Sequence, residues 1–278
     1  MTDFYELMNP ENFKQNWNKD GFFIVRKLLD LSEVKELKFI CDRILNRWII
    51  QSKNPEETAN LTNMAFLTEP RYFSEYPQQL TQLLHLISSD KILDILEYIF
   101  DFLLLFHNTQ YFFNPANKTR MGDWHRDQQF DAKTEEIERL RMQNTVGIHV
   151  HIAFLPDNNL EYIPGSHCRW DSSEELNIRK GLNGKPKNSE DIPNSTRIYL
   201  DVGDAVFFNA WGIHRGNYIA EIPRRTFDII YGTIPDWYTP PPTCFLQENI
   251  FAELTPRQQL FFQRFIDTYK NQWSSRLG

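Results

Sequence analysis

Thr145-Val146-Gly147-Ile148-His149-Val150-His151-Ile152-Ala153-Phe154-Leu155 alternates apolar with polar side chains through its middle. A period of two marks a strand with one buried face. Working outward, four more runs have strand character: Phe102 to Phe113, Thr196 to Leu200, Ala205 to Trp211 and Arg225 to Thr233. Gly, Pro, Asn or Asp bounds them, and several short strands so punctuated predict a sandwich or barrel. Upstream the period lengthens. Residues 11 to 50 read as helix, short strand (Phe22-Phe23-Ile24-Val25) and helix, with Asp20-Gly21 as punctuation. Ser32 is the predicted N-cap of the second helix, whose stripe is Val34, Leu37, Ile40, Cys41 and Leu45. A further helical region, 77 to 100, breaks at Ser88-Ser89-Asp90. Helices gathered before strands predict an α+β, mainly β, layout with helices packed on one sheet. The polar stretch 171 to 195, with Gly181, Gly184, Pro186 and Pro193, reads as a long functional loop. Together with 114 to 123 it supplies the candidate lids. The tail from Asp236 contains Pro240-Pro241-Pro242, then a helix near 255 to 273. Its Leu260, Phe261, Phe265, Ile266 and Tyr269 can pack on the body or on a second subunit, which leaves a homo-oligomer open. With no internal repeat and no linker, residues 1–278 read as one domain.

Composition narrows the function classes. The 278 residues include 22 Phe, 11 Tyr and 7 Trp, and 41% are hydrophobic, enough for a sizeable core. The net charge is −7 and the pI about 5.6, which argues against a nucleic-acid partner because phosphate binding needs a basic face. The same balance disfavours docking on anionic membranes. Met1-Thr2-Asp3-Phe4-Tyr5-Glu6 does not read as a targeting segment. The apolar stretch Ile92 to Phe106 is broken by Asp94, Glu97 and Asp101, so it does not read as a membrane span. Cys41, Cys168 and Cys244 give neither zinc spacing nor a disulfide framework, and read as reduced thiols in a cytoplasmic protein.

The chemistry begins at Trp124-His125-Arg126-Asp127. On extended chain, residues i and i+2 project to one side, so an imidazole and a carboxylate face one point. That pair supplies two of the three ligands of a non-haem Fe(II) facial triad. Alone it equally describes a strand-end His hydrogen-bonded to a neighbour. A third ligand must come from another strand. His214 lies just past Gly203-Asp204-Ala205-Val206-Phe207-Phe208-Asn209-Ala210-Trp211, where a ligand can reach into a barrel mouth. Arg225 opens the next apolar strand. If the two strands pair as a hairpin, its guanidinium returns near His214 and can grip a carboxylate. Read otherwise, Arg225 is a strand-edge surface charge beside Arg224.

Four stretches together resemble the phytanoyl-CoA dioxygenase family of Fe(II)/2-oxoglutarate oxygenases. They are Phe13 through Leu29, Trp124 to Asp127, Leu160-Glu161-Tyr162-Ile163-Pro164-Gly165-Ser166-His167, and Gly203-Asp204 through His214 with Arg225. The likeness spans about residues 13 to 232 and leaves the tail 236–278 outside. It implies a double-stranded β-helix (jelly roll) with helices on its outer sheet. It implies Fe(II) held by His125, Asp127 and His214, and 2-oxoglutarate with its far carboxylate on Arg225. O2 is the implied oxidant, and the implied products are succinate, CO2 and a substrate hydroxylated at a C–H. Gln110 is read as facing cofactor or substrate. Many members carry a serine two residues after the distal His; here that position is Gly216, so either Arg225 works alone or Thr226 or Asn217 assists. Related halogenases replace the ligand carboxylate with a small residue, so Asp127 favours hydroxylation or desaturation.

His149 and His151 share one face of their strand. They are either substrate or cofactor contacts, or two ligands of a rival zinc site. His167 reads as structural, and His85 and His107 as bystanders. Arg120, Arg169 and Trp170 can reach a substrate from the lids. Acyl-CoA would need a basic patch, and the candidate is Arg179-Lys180 with Lys185 and Lys187. The acidic balance points instead to a small metabolite, cationic or zwitterionic, in natural-product biosynthesis. The alternatives are an acyl-CoA hydroxylase, a zinc hydrolase, or a non-catalytic jelly roll that binds metal or small molecules.

Overall fold

In the computed structural model, residues 10–100, 104–130, 132–190, 192–233 and 251–274 are described. The predicted strand start at Phe102, the Pro240-Pro241-Pro242 run and Cys244 lie outside them. Helices α1 (Pro10–Asp20), α2 (Leu31–Gln51), α3 (Pro55–Ala59), α4 (Pro77–Ile87) and α5 (Asp90–Ile99) come early, with strands β1 (Phe22–Val25) and β2 (Asn63–Ala65) among them. Then follow β3 (Leu105–Phe112), β4 (Arg120–Met121), α6 (Glu135–Asn144), β5 (Gly147–Ala153), β6 (Leu160–Tyr162) and α7 (Ser173–Lys180). The series continues with β7 (Thr196–Arg197), β8 (Ala205–Asn209), β9 (His214–Tyr218), β10 (Thr226–Gly232) and α8 (Pro256–Ser274).

The strands form two antiparallel sheets of a jelly roll. The major sheet has the order β1-β8-β5-β10-β3-β2 and the minor sheet β4-β9-β6-β7. Alternation on the major sheet decides which side chains go where. Phe23, Val25, Ile148, Val150, Ile152, Phe207, Phe227 and Ile229 join the core shared with the helices, including Ile40, Leu83 and Phe262. The opposite parity faces the space between the sheets, where Val206, Phe208, Leu160 and Tyr162 cluster. The predicted α+β layout, with helices covering one face of a sheet, is therefore the observed one.

Several local expectations shift. Asp30, not Ser32, caps α2: its Oδ1 accepts from the Ser32 and Glu33 amides at 2.8 and 2.9 Å, and Glu33 Oε2 accepts from the Asp30 amide at 2.8 Å. The stretch expected as a loop contains α7, started by a Ser172–Glu175 capping box and ended by Gly181 at φ +68°. Its Ile178, with Ile192, packs on Trp124, Ile163 and Ile213, so this segment buttresses the barrel. Helix α6 was not foreseen. Helix α8 turns Phe261, Phe262, Phe265 and Tyr269 onto the body, with Phe265 5.5 Å from Phe106, while Leu260 is exposed.

The family-like stretches meet in space for identifiable reasons. Gly203, at φ +88°, has no room for a Cβ because one would meet the Leu29 carbonyl oxygen, and that closeness lets the Gly203 carbonyl accept from the Leu29 amide at 3.1 Å. Asp204 then accepts from Arg26 Nη1 at 2.6 Å and the Lys27 amide at 2.8 Å. The turn at Pro164-Gly165-Ser166 does similar service: Ser166 Oγ accepts from the Ile213 amide at 2.8 Å and its carbonyl from Arg126 Nη1 at 2.8 Å. That turn thus braces the residues next to His214 and to His125.

Candidate active site

His125 and His214 face each other across a bridge in which each backbone amide donates to the other's carbonyl at 3.0 Å. The Asp127 amide donates to the Ala210 carbonyl at 3.1 Å. These bonds fix the three Cα positions before any side chain is considered. His125 Nδ1 lies 2.7 Å from the Asp123 carbonyl oxygen, and His214 Nδ1 3.0 Å from that of Gly212. Each carbonyl selects the tautomer with its proton on Nδ1 and leaves the Nε2 lone pair free. Asp127 Oδ1 stands 3.3 Å from His125 Nε2 and 3.5 Å from His214 Nε2. All three donor tips lie within 4.8 Å of one another.

The electrostatics keep the carboxylate ionised. Burial opposes its charge, but His214, His149 and His125 hold the Asp127 carboxyl well below the usual carboxylate range. Burial pushes His214 down. It pushes His125 down too, but the hydrogen bond and charge of Asp127 more than offset it and raise this imidazole. Two imidazole nitrogens and a carboxylate on one face form the donor set of a non-haem Fe(II) centre. The residues present fit that metal.

The triad opens into a cavity of about 480 Å³, lined by Gln110, Phe112, His149, His151, Phe208, Tyr218 and Arg224 among others. Here the sequence-based assignments divide. Gln110 is in the wall, its Oε1 accepting from Asn63 Nδ2 at 2.7 Å. His149 and His151 are also in the wall, but they are not a zinc pair: their Nδ1 atoms lie 2.7 and 3.4 Å from the two oxygens of buried Asp228. Among the described residues, the group able to hold a metal is His125, Asp127 and His214. Burial lowers His149, yet Asp228 and then Asp127 lift it to about 10.

Arg225 does not return near His214. β9 belongs to the minor sheet, and β10 lies in the major sheet between β5 and β3, so the two do not form a hairpin. Arg225 shares the outward parity of Phe227 and Ile229 and reaches α2, where its Nε donates to Asp42 Oδ1 at 2.6 Å. Arg224 takes the inward parity with Thr226 and Asp228. It is 2% exposed, its Nε and Nη2 both 3.1 Å from Asp157 Oδ2, and its Nη1 is buried with no partner. Thr226 does not line the pocket, since its hydroxyl donates to Asp157 Oδ2 at 2.9 Å. Asn217 has the outward parity of β9. Arg169 is paired with Glu175 at 2.7 Å, and Trp170 stacks over Arg139, so both line a separate recess with His167 and Cys168. Arg120 is not among the lining residues; its Nη2 donates to Thr62 Oγ1 at 3.1 Å.

Sequence reasoning missed Arg224, Tyr218, Asn63, Phe130 and His107, all lining residues. The period-two rule, applied to β10, would have found Arg224. His107 follows no simple rule. It sits at a bulge where Tyr231 pairs with Phe106 but Ile230 pairs with Asn108, and the extra residue is turned inward.

The sequence matches the phytanoyl-CoA dioxygenase family profile over residues 17–220. The chain belongs to the phytanoyl-CoA dioxygenase family. It is a 2-oxoglutarate-dependent oxygenase by class, with iron and 2-oxoglutarate as cofactor and co-substrate. The fold is similar to that of HygX from Streptomyces hygroscopicus, solved with nickel and 2-oxoglutarate bound (13% identity, TM-score 0.59, 82% of this chain and 88% of that one). It is similar to EctD from S. alaskensis with 2-oxoglutarate and 5-hydroxyectoine (13%, 0.58, 82% and 77%). A third similar structure is the non-haem α-ketoglutarate-dependent epimerase SnoN from nogalamycin biosynthesis (16%, 0.52, 80% and 80%). Curated proteins give no match. Among the described residues no helix is long and apolar enough to cross a membrane.

Proposed function

We propose that this family member hydroxylates an unactivated C–H bond of a small-molecule metabolite, in natural-product biosynthesis. One observation carries the reading: three donor tips within 4.8 Å of one another open into the same cavity as a buried arginine with an unused N–H. His125, Asp127 and His214 would hold Fe(II), and Arg224, rather than Arg225, would hold the far carboxylate of 2-oxoglutarate. Bound iron and 2-oxoglutarate would supply the oxidising power, with O2 consumed and succinate and CO2 released.

The residues of this chain do the rest. Asp157 and His151 fix the Arg224 guanidinium, at 3.1 and 3.2 Å, so a carboxylate meets a donor already in place. Phe112, Leu160 and Phe208 wall the cavity with apolar surface and keep bulk water from the reacting centre. Asp127 keeps a carboxylate where a halogenase would need a vacant site. Size and charge speak against acyl-CoA. The cavity is at the modest end for ligand pockets, and Arg179 and Lys180, half of the basic patch expected for its phosphates, are already paired. Arg179 is fully buried against Glu138 and Asp171, and Lys180 is 2.7 Å from Glu138. Among the described lining residues the only carboxylate is Asp127, which is spent on the metal, so a neutral substrate fits better than the cation expected from net charge. Cys41 and Cys168 are unbonded, which suits the proposed cytoplasmic location.

The test is an anaerobic titration of apoprotein with Fe(II) and 2-oxoglutarate, followed by the visible iron-to-keto-acid charge-transfer band. Wild type gives the band. Arg224→Ala needs about 100-fold more 2-oxoglutarate to reach it, the worth of a hydrogen bond to a charged group. Arg225→Ala binds like wild type. A wild type that gives no band but binds zinc tightly overturns the reading.

A further inference from the structure

The Arg224 assignment leaves an incomplete site. Three of its guanidinium contacts are internal: Nε and Nη2 to Asp157, and Nη2 to His151 Nε2. Only Nη1 is left to meet a ligand. A carboxylate offers two oxygens and about four acceptor sites, and leaving one oxygen dry and unbonded in this pocket is costly. The helpers expected from sequence are not available. The Thr226 hydroxyl is committed to Asp157, and Asn217 lies on the other face of β9 with Arg215, whose Nε donates to Glu161 at 2.6 Å.

The face of β9 that does look into the cavity carries His214, Gly216 and Tyr218. A Cβ built on Gly216 would meet Tyr218 Oη at 2.5 Å and Cζ at 2.7 Å. The phenol therefore folds back along its own strand and lies over Gly216, in space that a side chain at 216 would need. The guanidinium carbon of Arg224 stands 5.4 Å from the centroid of the same ring. Gly216 and Tyr218 are thus a matched pair: the glycine admits the ring, which lines the cavity next to the Arg224 guanidinium with its hydroxyl over Gly216.

We propose that Tyr218 is the second anchor of the far carboxylate of 2-oxoglutarate, its hydroxyl donating alongside Arg224 Nη1. The inference rests on the oxygenase reading and on Arg224. It makes the sequence departure at Gly216 a relocation of the hydroxyl by one inward position, from 216 to 218, rather than a loss.

The experiment is the same anaerobic Fe(II) titration on the full chain, with 2-oxoglutarate and with 2-oxobutanoate, which lacks the far carboxylate. Tyr218→Phe raises the 2-oxoglutarate concentration needed for half of the band about tenfold, the loss of one hydrogen bond to a charged group. It leaves the 2-oxobutanoate titration and the Fe(II) affinity unchanged. Tyr218→Ala with Gly216→Ser binds 2-oxoglutarate more tightly than Tyr218→Ala alone, because removing the ring makes room for a nearby hydroxyl. Equal 2-oxoglutarate binding in wild type and Tyr218→Phe overturns the proposal, as does equal weakening of both keto acids. No band in wild type overturns the oxygenase reading along with it, whereas a wild-type band that Arg224→Ala leaves intact removes the arginine assignment specifically.

Discussion

His149 stands between two carboxylates, with Nε2 2.9 Å from Asp127 Oδ2 and Nδ1 2.7 Å from Asp228 Oδ2. Its ring also stacks on Phe208 at 4.7 Å, so it cannot swing away. The Asp127 contact is close but poorly aligned, so Oδ2 is buried without a hydrogen bond of good geometry. Groups just behind a metal ligand that orient it are typically worth 10–100-fold in metal affinity. His149→Phe keeps the stack and removes the polar contact. It is expected to weaken Fe(II) binding by about tenfold or more while far-UV circular dichroism stays unchanged; unaltered metal affinity would count against a positioning role. Residue identity at this scale was partly legible. That His125, Asp127 and His214 converge was readable from spacing and likeness, because residues proposed as ligands must face one point. Arg224 was not, because counting along a loop ignores parity, and one position just ahead of β10 separates a pocket-facing side chain from one that pairs with Asp42.

At the scale of elements, the segment joining the two ligand-bearing regions is held by charge. Arg126 lies between the proposed ligands His125 and Asp127 and points the other way. It is fully buried, with Nη2 2.5 Å from Asp171 Oδ1 and a further bond to the Trp211 carbonyl. Asp171 also takes Arg179 Nη2 at 2.5 Å, and Arg179 Nη1 reaches Glu138 on α6 at 2.6 Å. Asp171→Ala would leave two buried guanidiniums facing each other, a loss of about 3–5 kcal/mol. Removing the exposed Lys270–Asp267 pair should cost less than about 1 kcal/mol. Urea unfolding of the two variants compares them, and near-equal midpoints would show that the cluster does not hold the segment. This ionic buttress also explains which elements sequence reading missed. α4, α5 and β5 announce themselves through apolar periodicity. α6 and α7 bury Glu138, Glu175 and Arg179, so their inward faces look like solvated surface until their partners are known.

For the whole molecule, one sheet separates two environments: an apolar helical layer outside and a polar, titratable pocket inside. Placing imidazoles inside couples stability to pH. The clearest case away from the metal ligands is His107, delivered to the pocket by the β3 bulge. Burial lowers its pKa to about 4 from the ordinary 6.5, against the pull of backbone acceptors at Gly232 and Thr233. The sign follows from linkage. Between about pH 6.5 and 4 the unfolded chain binds a proton at this position and the folded one does not, so stability is intact above 6.5 and falls as pH drops toward 4. The span corresponds to roughly 3 kcal/mol at about 1.4 kcal/mol per unit. Buried carboxylates such as Asp157 and Asp228, both held below the usual range, lose their own contribution at still lower pH, so the His107 effect has to be isolated by difference. His107→Leu removes the titrating group while keeping an apolar side chain of similar reach. Urea unfolding of both proteins at half-unit steps from pH 7.5 to 4.5 should show wild type losing stability relative to the variant as the solution is acidified, with most of the divergence below about pH 6.5. Parallel curves would mean that His107 takes up its proton in the folded protein too, and that its place in the pocket is wetter than its burial implies.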